Sequence, residues 1–450
     1  MSNELASALA DLGEVDRVEA FIVDLNGVPR GKWVSPGKVA EYQRVGLPMP
    51  RSLFAEDIWG DDVVDAGLAF GTGDPDGLCF PVAGGIVAAP WTQSPTAQML
   101  CSMRDDNGSG FFADPRVILQ NATDRLQALG LTPVVAVELE FYLLAGEGPP
   151  RPARMPQPGD GDAPIHAGNV ASVDELGEYE SFLNDVLDAA RLMNLPVDTV
   201  FFESGPGQFE INLLHGPDPC VAADHAILLK RCVKAMARRH GLRACFMAKP
   251  FGHLAGSGMH VHASLIDAQG RPSFADPSGG ASPALFHSIG GLLAAMPDTM
   301  LIFAPHANSY RRFRRESHAP MTTGWAWGDR SAAVRAIDGK PSALRIEHRV
   351  AGADANPYLV LATVLAGITD GLTMKIDPGP AQNGAPSSDP AVRLPLDWRQ
   401  AIERFEVSEV AARHFGQRAR DVITACKWQD FDGLLARVPP AEYETYLGVV

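Results

Sequence analysis

The chain alternates apolar and polar positions in four separated segments, with the two-residue period of a β-strand. The segments are 134–144 (VVAVELEFYLL), 208–214 (QFEINLL), 259–265 (MHVHASL) and 343–350 (ALRIEHRV). Successive side chains of a strand point to opposite faces, so residues two apart share a face. Each segment therefore directs a polar row to one side. The rows contain Glu138 and Glu140; Glu210 and Asn212; His260 and His262; and Arg345, Glu347 and Arg349.

These polar rows lie among Val, Leu, Ile and Phe, and burying them is costly unless the charges find partners. One such strand can be the solvated face of an antiparallel sheet. Four strands that carry carboxylates, imidazoles and guanidinium groups are explained more simply by one shared interior. The pattern therefore predicts one active site that holds metal cations and phosphate anions together.

The N-terminal part of the chain reads as short strands. Residues 17–34 predict two strands joined at Asn26-Gly27, which is a strong hairpin signal. Short apolar runs broken by Gly, Pro and Asp continue to about residue 105. These runs indicate a small β-rich domain.

Helices alternate with strands in the remainder. Asp114-Pro115 and Asp218-Pro219 each begin a helix, with a capping carboxylate followed by proline in the first turn. Gly130 and Gly241 end these two helices. The alternation predicts a second, larger domain of α/β type.

Three further segments complete the organisation. Residues 174–195 predict an amphipathic helix, whereas 146–169 and 376–390 are Pro- and Gly-rich surface loops. The sequence after the second loop is mainly helical. The length of 450 residues exceeds what one hydrophobic core usually supports, which favours two domains of unequal size.

Composition narrows the class of protein. Hydrophobic residues make up 46% of the chain and charged residues 20%, as in an ordinary soluble globular protein. The N-terminus lacks the pattern of a secretory signal, and no apolar stretch reaches the ~20 residues of a spanning helix. The six cysteines form no C-x-x-C pair and read as reduced thiols. We therefore expect a cytoplasmic protein with no membrane partner.

The net charge of −16 argues against nucleic acid as a partner, because nucleic-acid binding depends on cationic contacts to phosphate. The sequence also has no G-x-x-x-x-G-K-[ST] phosphate loop, which makes the P-loop class of nucleotide-binding proteins an unlikely match.

The candidate metal ligands are five carboxylates and one imidazole. This oxygen-rich set without thiolate suits Mg²⁺ or Mn²⁺. Five carboxylates exceed the need of one divalent ion, and two or more ions about 4 Å apart serve phosphoryl transfer. The ligand candidates are Glu138, Glu140, Glu203, Glu210, His260 and Glu347.

Five arginines supply complementary anion-binding groups. Guanidinium pairs bidentately with carboxylate and phosphate, so these residues suit a nucleotide and an acidic substrate. Composition and spacing together predict metal-dependent ATP chemistry on an acid. The arginines are Arg312, Arg330, Arg335, Arg345 and Arg349.

The motifs resemble those of the glutamine synthetase superfamily along nearly the whole chain. They are VELEFYL, ESGPGQFEINL, KPFGHLAGSGMHVHAS, NSYRRF, GDRSAAVR and RIEHRVAGADANPYL. The resemblance implies an α+β fold with a small N-terminal β-grasp domain at 1–108. It implies a large catalytic domain at 109–450, an antiparallel half-barrel with flanking helices. It also implies a homo-oligomer of two hexameric rings, a dodecamer, with active sites between subunits.

The resemblance further implies a role for each site residue. Glu140, Glu203 and Glu210 correspond to ligands of the metal that serves the acceptor glutamate. Glu138, His260 and Glu347 correspond to ligands of the metal that bridges the ATP phosphates, with two or three Mg²⁺ or Mn²⁺ ions per site. The remaining roles are glutamate binding for Arg312, Arg349 and the Gly256 backbone, phosphate binding for Arg330, Arg335 and Arg345, and ATP binding for His262 and Ser264. Arg330 is also the catalytic arginine that the resemblance implies.

Three departures from the family pattern bear on the nitrogen donor. His318 stands where ammonia-using members place a flap glutamate, and SLFAEDIWG replaces the motif whose aspartate lines the neighbouring ammonium site. Ala255 replaces the usual asparagine before GSGMH. The chain most resembles γ-glutamylputrescine synthetases, so we expect ATP-dependent ligation of glutamate to a primary amine, such as putrescine.

Several readings stay open. His318 is either the base that deprotonates the attacking amine or a flap residue without that role. Trp325 and Trp327 either wall an alkylammonium pocket or are structural. The alternatives for the whole protein are a true glutamine synthetase that uses ammonia, and a non-catalytic structural or regulatory member.

Overall fold

The computed structural model of the chain describes residues 2–69, 71–153, 169–314, 317–382 and 393–450. The middle of the first predicted loop and the end of the second lie outside these residues.

The strands form two sheets. The smaller sheet contains β1 (Arg17–Val23), β2 (Pro29–Val34), β3 (Leu47–Pro50), β4 (Asp76–Ala88) and β5 (Thr96–Arg104), in the order β2-β1-β5-β4-β3. The larger sheet contains β6 (Leu131–Ala145), β7 (Val197–Phe202), β8 (Gln208–Leu213), β9 (Leu242–Cys245), β10 (Met259–Asp267), β11 (Trp325–Trp327), β12 (Val334–Ile337) and β13 (Arg345–His348).

The larger sheet runs in the order β11-β12-β13-β10-β6-β8-β7, and β9 also pairs with β6. Its pairings are antiparallel except for the parallel pair of β11 and β12. The sheet is nearly barrel-shaped. The central strand, β6, lies between β10 and β8, so three of the predicted polar rows lie side by side.

The helices are distributed along the whole chain. The first five are α1 (Ser2–Asp11), α2 (Val39–Val45), α3 (Pro115–Gln127), α4 (Val173–Glu178) and α5 (Glu180–Leu192). The next four are α6 (Pro219–Arg239), α7 (Pro283–Ala295), α8 (Met300–Phe303) and α9 (Pro357–Met374). The last four are α10 (Trp398–Val407), α11 (Glu409–Phe415), α12 (Gln417–Leu435) and α13 (Pro440–Tyr446).

The predicted hairpin and helix starts are present. Strands β1 and β2 pair antiparallel around the turn at Gly27, whose φ of 76° favours glycine. The Asp114 side chain accepts a hydrogen bond from the Arg116 amide, and Asp218 accepts bonds from the amides of Cys220 and Val221. These carboxylates satisfy amide donors that have no partner within the helix.

The prediction of one continuous helix over 174–195 is wrong. Tyr179 leaves helical geometry, with φ −106° and ψ 15°, and divides the segment into α4 and α5. The Tyr179 side chain is buried, and its hydroxyl donates to the Ala153 carbonyl at 2.8 Å. This tertiary contact accompanies a break that the amphipathic pattern does not show.

A buried charged network joins three helices. Arg116 at the start of α3 forms hydrogen bonds of 3.0 to 3.3 Å with both carboxylate oxygens of Asp224 on α6. The Tyr358 hydroxyl on α9 donates to Asp224 at 2.6 Å. Because each polar group has a partner, burial of this carboxylate is tolerated.

Among the described residues, α9 is the one helix that is long and apolar enough to cross a membrane. Of its 18 residues, 72% are buried within the protein. Such burial is usual for the core helix of a soluble protein. The six cysteines are free thiols, as predicted. Nothing in these contacts tests the division at residues 108 and 109, which stays a prediction.

Candidate active site

Strand register brings the four polar rows into one patch. Directly opposed residues of antiparallel strands point to the same face. His260 lies opposite Glu138, His262 lies opposite Glu347, and Glu140 lies opposite Glu210. The segments that the pattern predicted as strands thus meet as β13, β10, β6 and β8, and their carboxylates and imidazoles share one side of the sheet.

Three overlapping groups of side chains are close enough to hold cations. Within each group, one ligand atom per residue lies within 4.8 Å of the others. The groups are Glu138, His262 and Glu347; Glu138, Glu210 and His260; and Glu140, Glu203 and Glu210. These hard oxygen and imidazole donors fit Mg²⁺ or Mn²⁺. All six predicted metal ligands occur in these groups, and His262 joins them.

Direct hydrogen bonds already link several of these groups. Glu138 contacts His262 Nε2 at 2.8 Å and His260 Nδ1 at 3.2 Å. Glu140 accepts the Gly258 amide at 2.9 Å. Glu138 and Glu140 are therefore held in place by protein groups, with carboxylate oxygens able to contact further donors.

The carboxylates experience opposed electrostatic effects. Burial raises the pKa of Glu203 to about 7, and the nearby charge of Glu140 adds to this shift. Burial and the charges of Glu138 and Glu140 raise the pKa of Glu210 to about 9. Burial also disfavours the ionised form of Glu138, but hydrogen bonds from both histidines hold its pKa well below the usual range. Full ionisation of Glu140, Glu203 and Glu210 would place more negative charge here than nearby protein groups neutralise, so Glu203 and Glu210 keep their protons to a higher pH than ordinary carboxyl groups do.

This electrostatic arrangement predicts that Mn²⁺ affinity rises between about pH 6 and about pH 9, because the cation must displace protons from Glu203 and Glu210. Calorimetric Mn²⁺ titrations in buffers of different ionisation enthalpy would measure the released protons.

Since both folded-state pKa values exceed the ordinary value of 4.5, the metal-free protein should also lose stability as the pH rises through them.

A Glu210→Gln variant provides the comparison, because it removes the carboxyl group with the highest of these pKa values. It should release fewer protons on binding Mn²⁺. A wild-type affinity that does not change with pH would contradict the prediction.

Two arginines neutralise Glu347. Arg335 Nη1 lies 2.9 Å from one carboxylate oxygen, and Arg349 Nη1 donates to the other. Arg349 Nε also donates to the Arg330 carbonyl at 3.0 Å. Burial opposes ionisation of Glu347, but the charge of Arg349 holds its pKa below the usual value. One predicted phosphate arginine, Arg335, and one predicted substrate arginine, Arg349, therefore converge on a predicted metal ligand.

A cavity of about 340 Å³ opens beside the metal-binding groups. Its lining includes Glu138, His262, Ser264 and Arg345, of which the last three were predicted to bind ATP. Arg345 Nε lies 3.3 Å from His262 Nδ1. Cationic and polar groups at the edge of a carboxylate cluster suit a triphosphate that shares cations with the protein.

A glycine-rich loop, residues 256–258, adjoins the patch. At Gly256 an added Cβ would lie 2.4 Å from Arg312 Cγ, so the backbone approaches this buried arginine directly. Arg312 Nη1 donates to the Val350 carbonyl at 2.8 Å. The structure thus brings together Gly256, Arg312 and Glu140, the last through the Gly258 amide.

Two residues proposed for catalysis lie at the surface. His318 is exposed and follows residues 315 and 316, which are not described. The Arg330 side chain is also exposed, although its carbonyl contacts Arg349. The described contacts therefore do not draw the side chain of either residue into the patch.

The two tryptophans differ in environment. Trp325 is buried, donates from Nε1 to the Gly379 carbonyl at 3.0 Å and packs edge-on against Phe286. These contacts give Trp325 a structural role. Trp327 is 39% exposed and packs edge-on against Trp325. Trp327 is thus the one of the pair with ring surface available to a ligand.

The sequence interpretation missed polar residues that extend the rows. Tyr142 follows Glu140 at the same two-residue spacing, and Gln208 precedes Glu210. Asn212 was noticed in its row but received no role, and it lines the cavity with a buried Oδ1 that lacks a hydrogen-bond partner among the described residues. Extending each polar row by one further step of two residues would have found Tyr142 and Gln208.

Comparisons with known proteins find relatives over most of the chain. A family model described as "Glutamine synthetase, catalytic domain" matches residues 112–446. The γ-glutamylputrescine synthetase of Escherichia coli (strain K12) is 38% identical over 91% of this chain and 87% of its own. A glutamate–isopropylamine ligase of Pseudomonas sp is 33% identical over 88% of this chain and 87% of its own.

The fold is also similar to solved structures. The structure titled "Apo GmaS without ligand" aligns with a TM-score of 0.83 and 28% identity, covering 99% of both chains.

Proposed function

This chain belongs to the glutamine synthetase family, and we propose that it uses ATP to join the γ-carboxylate of glutamate to a primary amine. It is a carbon–nitrogen ligase of that family. The observation that carries the proposal is the convergence of carboxylates, imidazoles and arginines on one sheet face beside a 340 Å³ cavity. Relatives named for ligation of glutamate to putrescine and isopropylamine support an amine as nitrogen donor.

The first half of the proposed reaction transfers the γ-phosphoryl group of ATP to glutamate. The protein's part is positioning and charge neutralisation. His262, Ser264 and Arg345 would hold the nucleotide in the cavity that they line. Arg335 and Arg330 would face the phosphoryl group. Transfer would leave ADP and γ-glutamyl phosphate.

The carboxylate and imidazole groups would hold the cations, which we propose are two or three Mg²⁺ or Mn²⁺ ions per site. Bound there, such ions supply Lewis-acid stabilisation of phosphate charge. Donor atoms within 4.8 Å of one another and the raised pKa values of Glu203 and Glu210 fit this role. Glu138, Glu140, His260 and Glu347 complete the proposed ligand set.

The acidic substrate would occupy the side of the patch formed by the glycine loop. Arg312 and Arg349 would bind its carboxylates, and the Gly256 backbone would contact its ammonium group. Arg312 is 6% exposed and Arg349 is 7% exposed, so each guanidinium is shielded from bulk water. Shielding strengthens charge-assisted contacts with a carboxylate.

In the second half, the amine nitrogen would attack the acyl carbon of γ-glutamyl phosphate and displace inorganic phosphate. The attacking ammonium must first lose a proton. His318 is a candidate base, because an imidazole can accept a proton from the attacking nitrogen. Trp327 is a candidate wall for an alkylammonium ion.

We also propose the finer architecture that the family resemblance implies. The five-stranded sheet would belong to a β-grasp domain at 1–108, and 109–450 would form the catalytic half-barrel domain. The chain would assemble as a cytoplasmic dodecamer of two hexameric rings with active sites between subunits. Mass measurement of the native assembly tests the subunit number.

A phosphate-release assay with ATP, Mg²⁺ and glutamate tests the substrate assignment. Putrescine, isopropylamine, ethanolamine and ammonium would be compared at equal concentration, and the products would be identified by mass. We expect at least one primary amine to exceed ammonium in kcat/KM by about tenfold or more, because the anionic flap residue of ammonia-using members is absent at His318. Ammonium turnover above that of every amine would reject the proposal in favour of a glutamine synthetase.

A His318→Glu variant sharpens the same test. Restoring a carboxylate should raise ammonium use relative to amine use. A protein that binds neither ATP nor Mn²⁺ would instead support the non-catalytic alternative.

A further inference from the structure

Tyr142 and Gln208 extend the two central polar rows by one position each. Tyr142 lies two residues after Glu140 on β6, and Gln208 lies two residues before Glu210 on β8. The two residues face each other across the β6–β8 pair. Both are fully buried, at 0% exposure. A buried amide and phenol on the face of the site must satisfy their polar atoms within the protein.

Gln208 connects two loops of the site. Its Oε1 accepts the Gly205 amide at 3.0 Å, and its Nε2 donates to the Gly256 carbonyl at 3.0 Å. The first loop follows Glu203, whose own amide donates to the Gln208 carbonyl at 2.9 Å. One side chain therefore ties the turn next to a candidate metal ligand to the glycine loop.

Tyr142 supports the neighbouring peptide of the same loop. Its hydroxyl donates to the Ala255 carbonyl at 2.9 Å. The turn at Gly205 packs directly on the phenol, because an added Cβ there would lie 2.1 Å from the Tyr142 oxygen. Phe251 packs edge-on against the ring at 5.6 Å. The hydroxyl is thus held at a fixed place behind the loop.

The rest of the glycine loop is fixed by backbone hydrogen bonds. The Ser257 amide donates to the Ala248 carbonyl at 2.9 Å, and the Ser257 carbonyl accepts the Ala353 amide at 3.0 Å. The Gly258 amide donates to Glu140 at 2.9 Å. The carbonyls of residues 255 and 256 are therefore oriented by side chains, whereas the next peptides are oriented by the backbone and a site carboxylate.

We propose that Tyr142 and Gln208 are positioning residues for the acidic substrate, which they serve by fixing the carbonyls of Ala255 and Gly256. A carbonyl oxygen has two lone pairs, so Gln208 can orient the Gly256 carbonyl and leave one lone pair for the substrate ammonium group. The inference rests on the proposed function, in which this loop contacts glutamate. It predicts that loss of these residues raises the KM for the acid and leaves nucleotide binding unchanged.

Tyr142→Phe and Gln208→Met test the inference, because each removes polar atoms and keeps most of the side-chain volume. Tyr142→Phe removes one such hydrogen bond and should raise the KM for glutamate about three- to tenfold, whereas Gln208→Met removes two and should raise it at least as much. In Tyr142→Phe, the KM for ATP, the Mn²⁺ affinity and the kcat at saturating glutamate should change less than about twofold. Calorimetric titration of glutamate in the presence of ADP and Mn²⁺ gives an independent measure of affinity.

Tyr179→Phe is the matched control, since its buried hydroxyl also donates to a backbone carbonyl, that of Ala153 at 2.8 Å. Its glutamate KM should stay at the wild-type value even if its melting temperature falls.

Three results would overturn the inference: a Tyr142→Phe enzyme with wild-type glutamate KM, equal rises in the KM for ATP and for glutamate, or the same rise in Tyr179→Phe. A wild-type enzyme without glutamate-dependent phosphate release would instead overturn the proposed function itself.

Discussion

A Glu138→Gln variant is expected to lose most of its Mn²⁺ affinity and to release phosphate at least about 100-fold more slowly than the wild-type enzyme. Glu138 belongs to two of the three groups that can hold a cation, and it contacts both His260 and His262. The substitution keeps the side-chain shape but replaces a carboxylate by a neutral amide with one acceptor oxygen. Two cation sites are therefore weakened by a single change.

Electron paramagnetic resonance of bound Mn²⁺ and the phosphate-release assay measure the two effects separately. Glu19→Gln is the control, because Glu19 is also a partly buried glutamate with an ionic partner, Arg231 at 2.8 Å, but belongs to none of the cation-binding groups. It should retain Mn²⁺ affinity and turnover. Normal Mn²⁺ binding by Glu138→Gln would contradict the assignment of this patch to cations.

The strands that carry the site could be predicted because their chemistry conflicts with their surroundings. Burial of Glu138 and Glu140 among the apolar residues of VVAVELEFYLL is costly unless the carboxylates have partners. A single solvent-facing strand is a poor explanation of this pattern. The structure resolves it as predicted, by placing β6 beside β10 and β8 with their polar rows on one face. A two-residue period fixes which side chains share a face before any pairing is known.

The partners of individual side chains could not be predicted from the period. Glu347 forms ion pairs with Arg335 and Arg349, which depends on the order β12-β13-β10 and on side-chain rotamers. Register between distant strands is set by long-range pairing and has no signature within either strand. Tyr142 and Gln208 were passed over for a different reason: the two-residue period reaches both, but each looks like an ordinary member of an apolar strand.

The proposed nitrogen-donor side was harder still, because its candidate residues lie outside the four patterned strands. His318 is exposed and adjoins residues outside the described part of the chain, and Trp325 packs into an aromatic cluster with Phe286. Sequence departures at such positions support the proposal that an amine replaces ammonium as the nitrogen donor. The shape of the pocket for the nitrogen donor depends on loop conformation, so the assay with a panel of amines is needed to identify the donor.

Gly258→Ala is expected to lower kcat/KM at least about tenfold while the fold remains intact. An added Cβ would lie 2.9 Å from His260 Nε2, 3.1 Å from Glu140 Oε1 and 3.2 Å from Arg312 Nη2. Each of these atoms belongs to a side chain proposed to bind a cation or the acid. Relief of the overlap must therefore move groups of the site by a few tenths of an ångström, and since a misplacement of about 1 Å can cost about 100-fold, a loss of about tenfold or more is expected.

Gly252→Ala provides the matched control, because it lies six residues earlier in the same segment and its added Cβ would meet nothing within 4 Å. It should keep wild-type kinetics, and the melting temperatures of both variants should remain close to that of the wild-type protein. Because the Gly258 amide also donates to Glu140 at 2.9 Å, movement of this backbone would directly disturb a carboxylate that is proposed to bind a cation. Wild-type turnover by Gly258→Ala would show that the reacting groups do not meet at this glycine, and the site would have to lie elsewhere on the sheet.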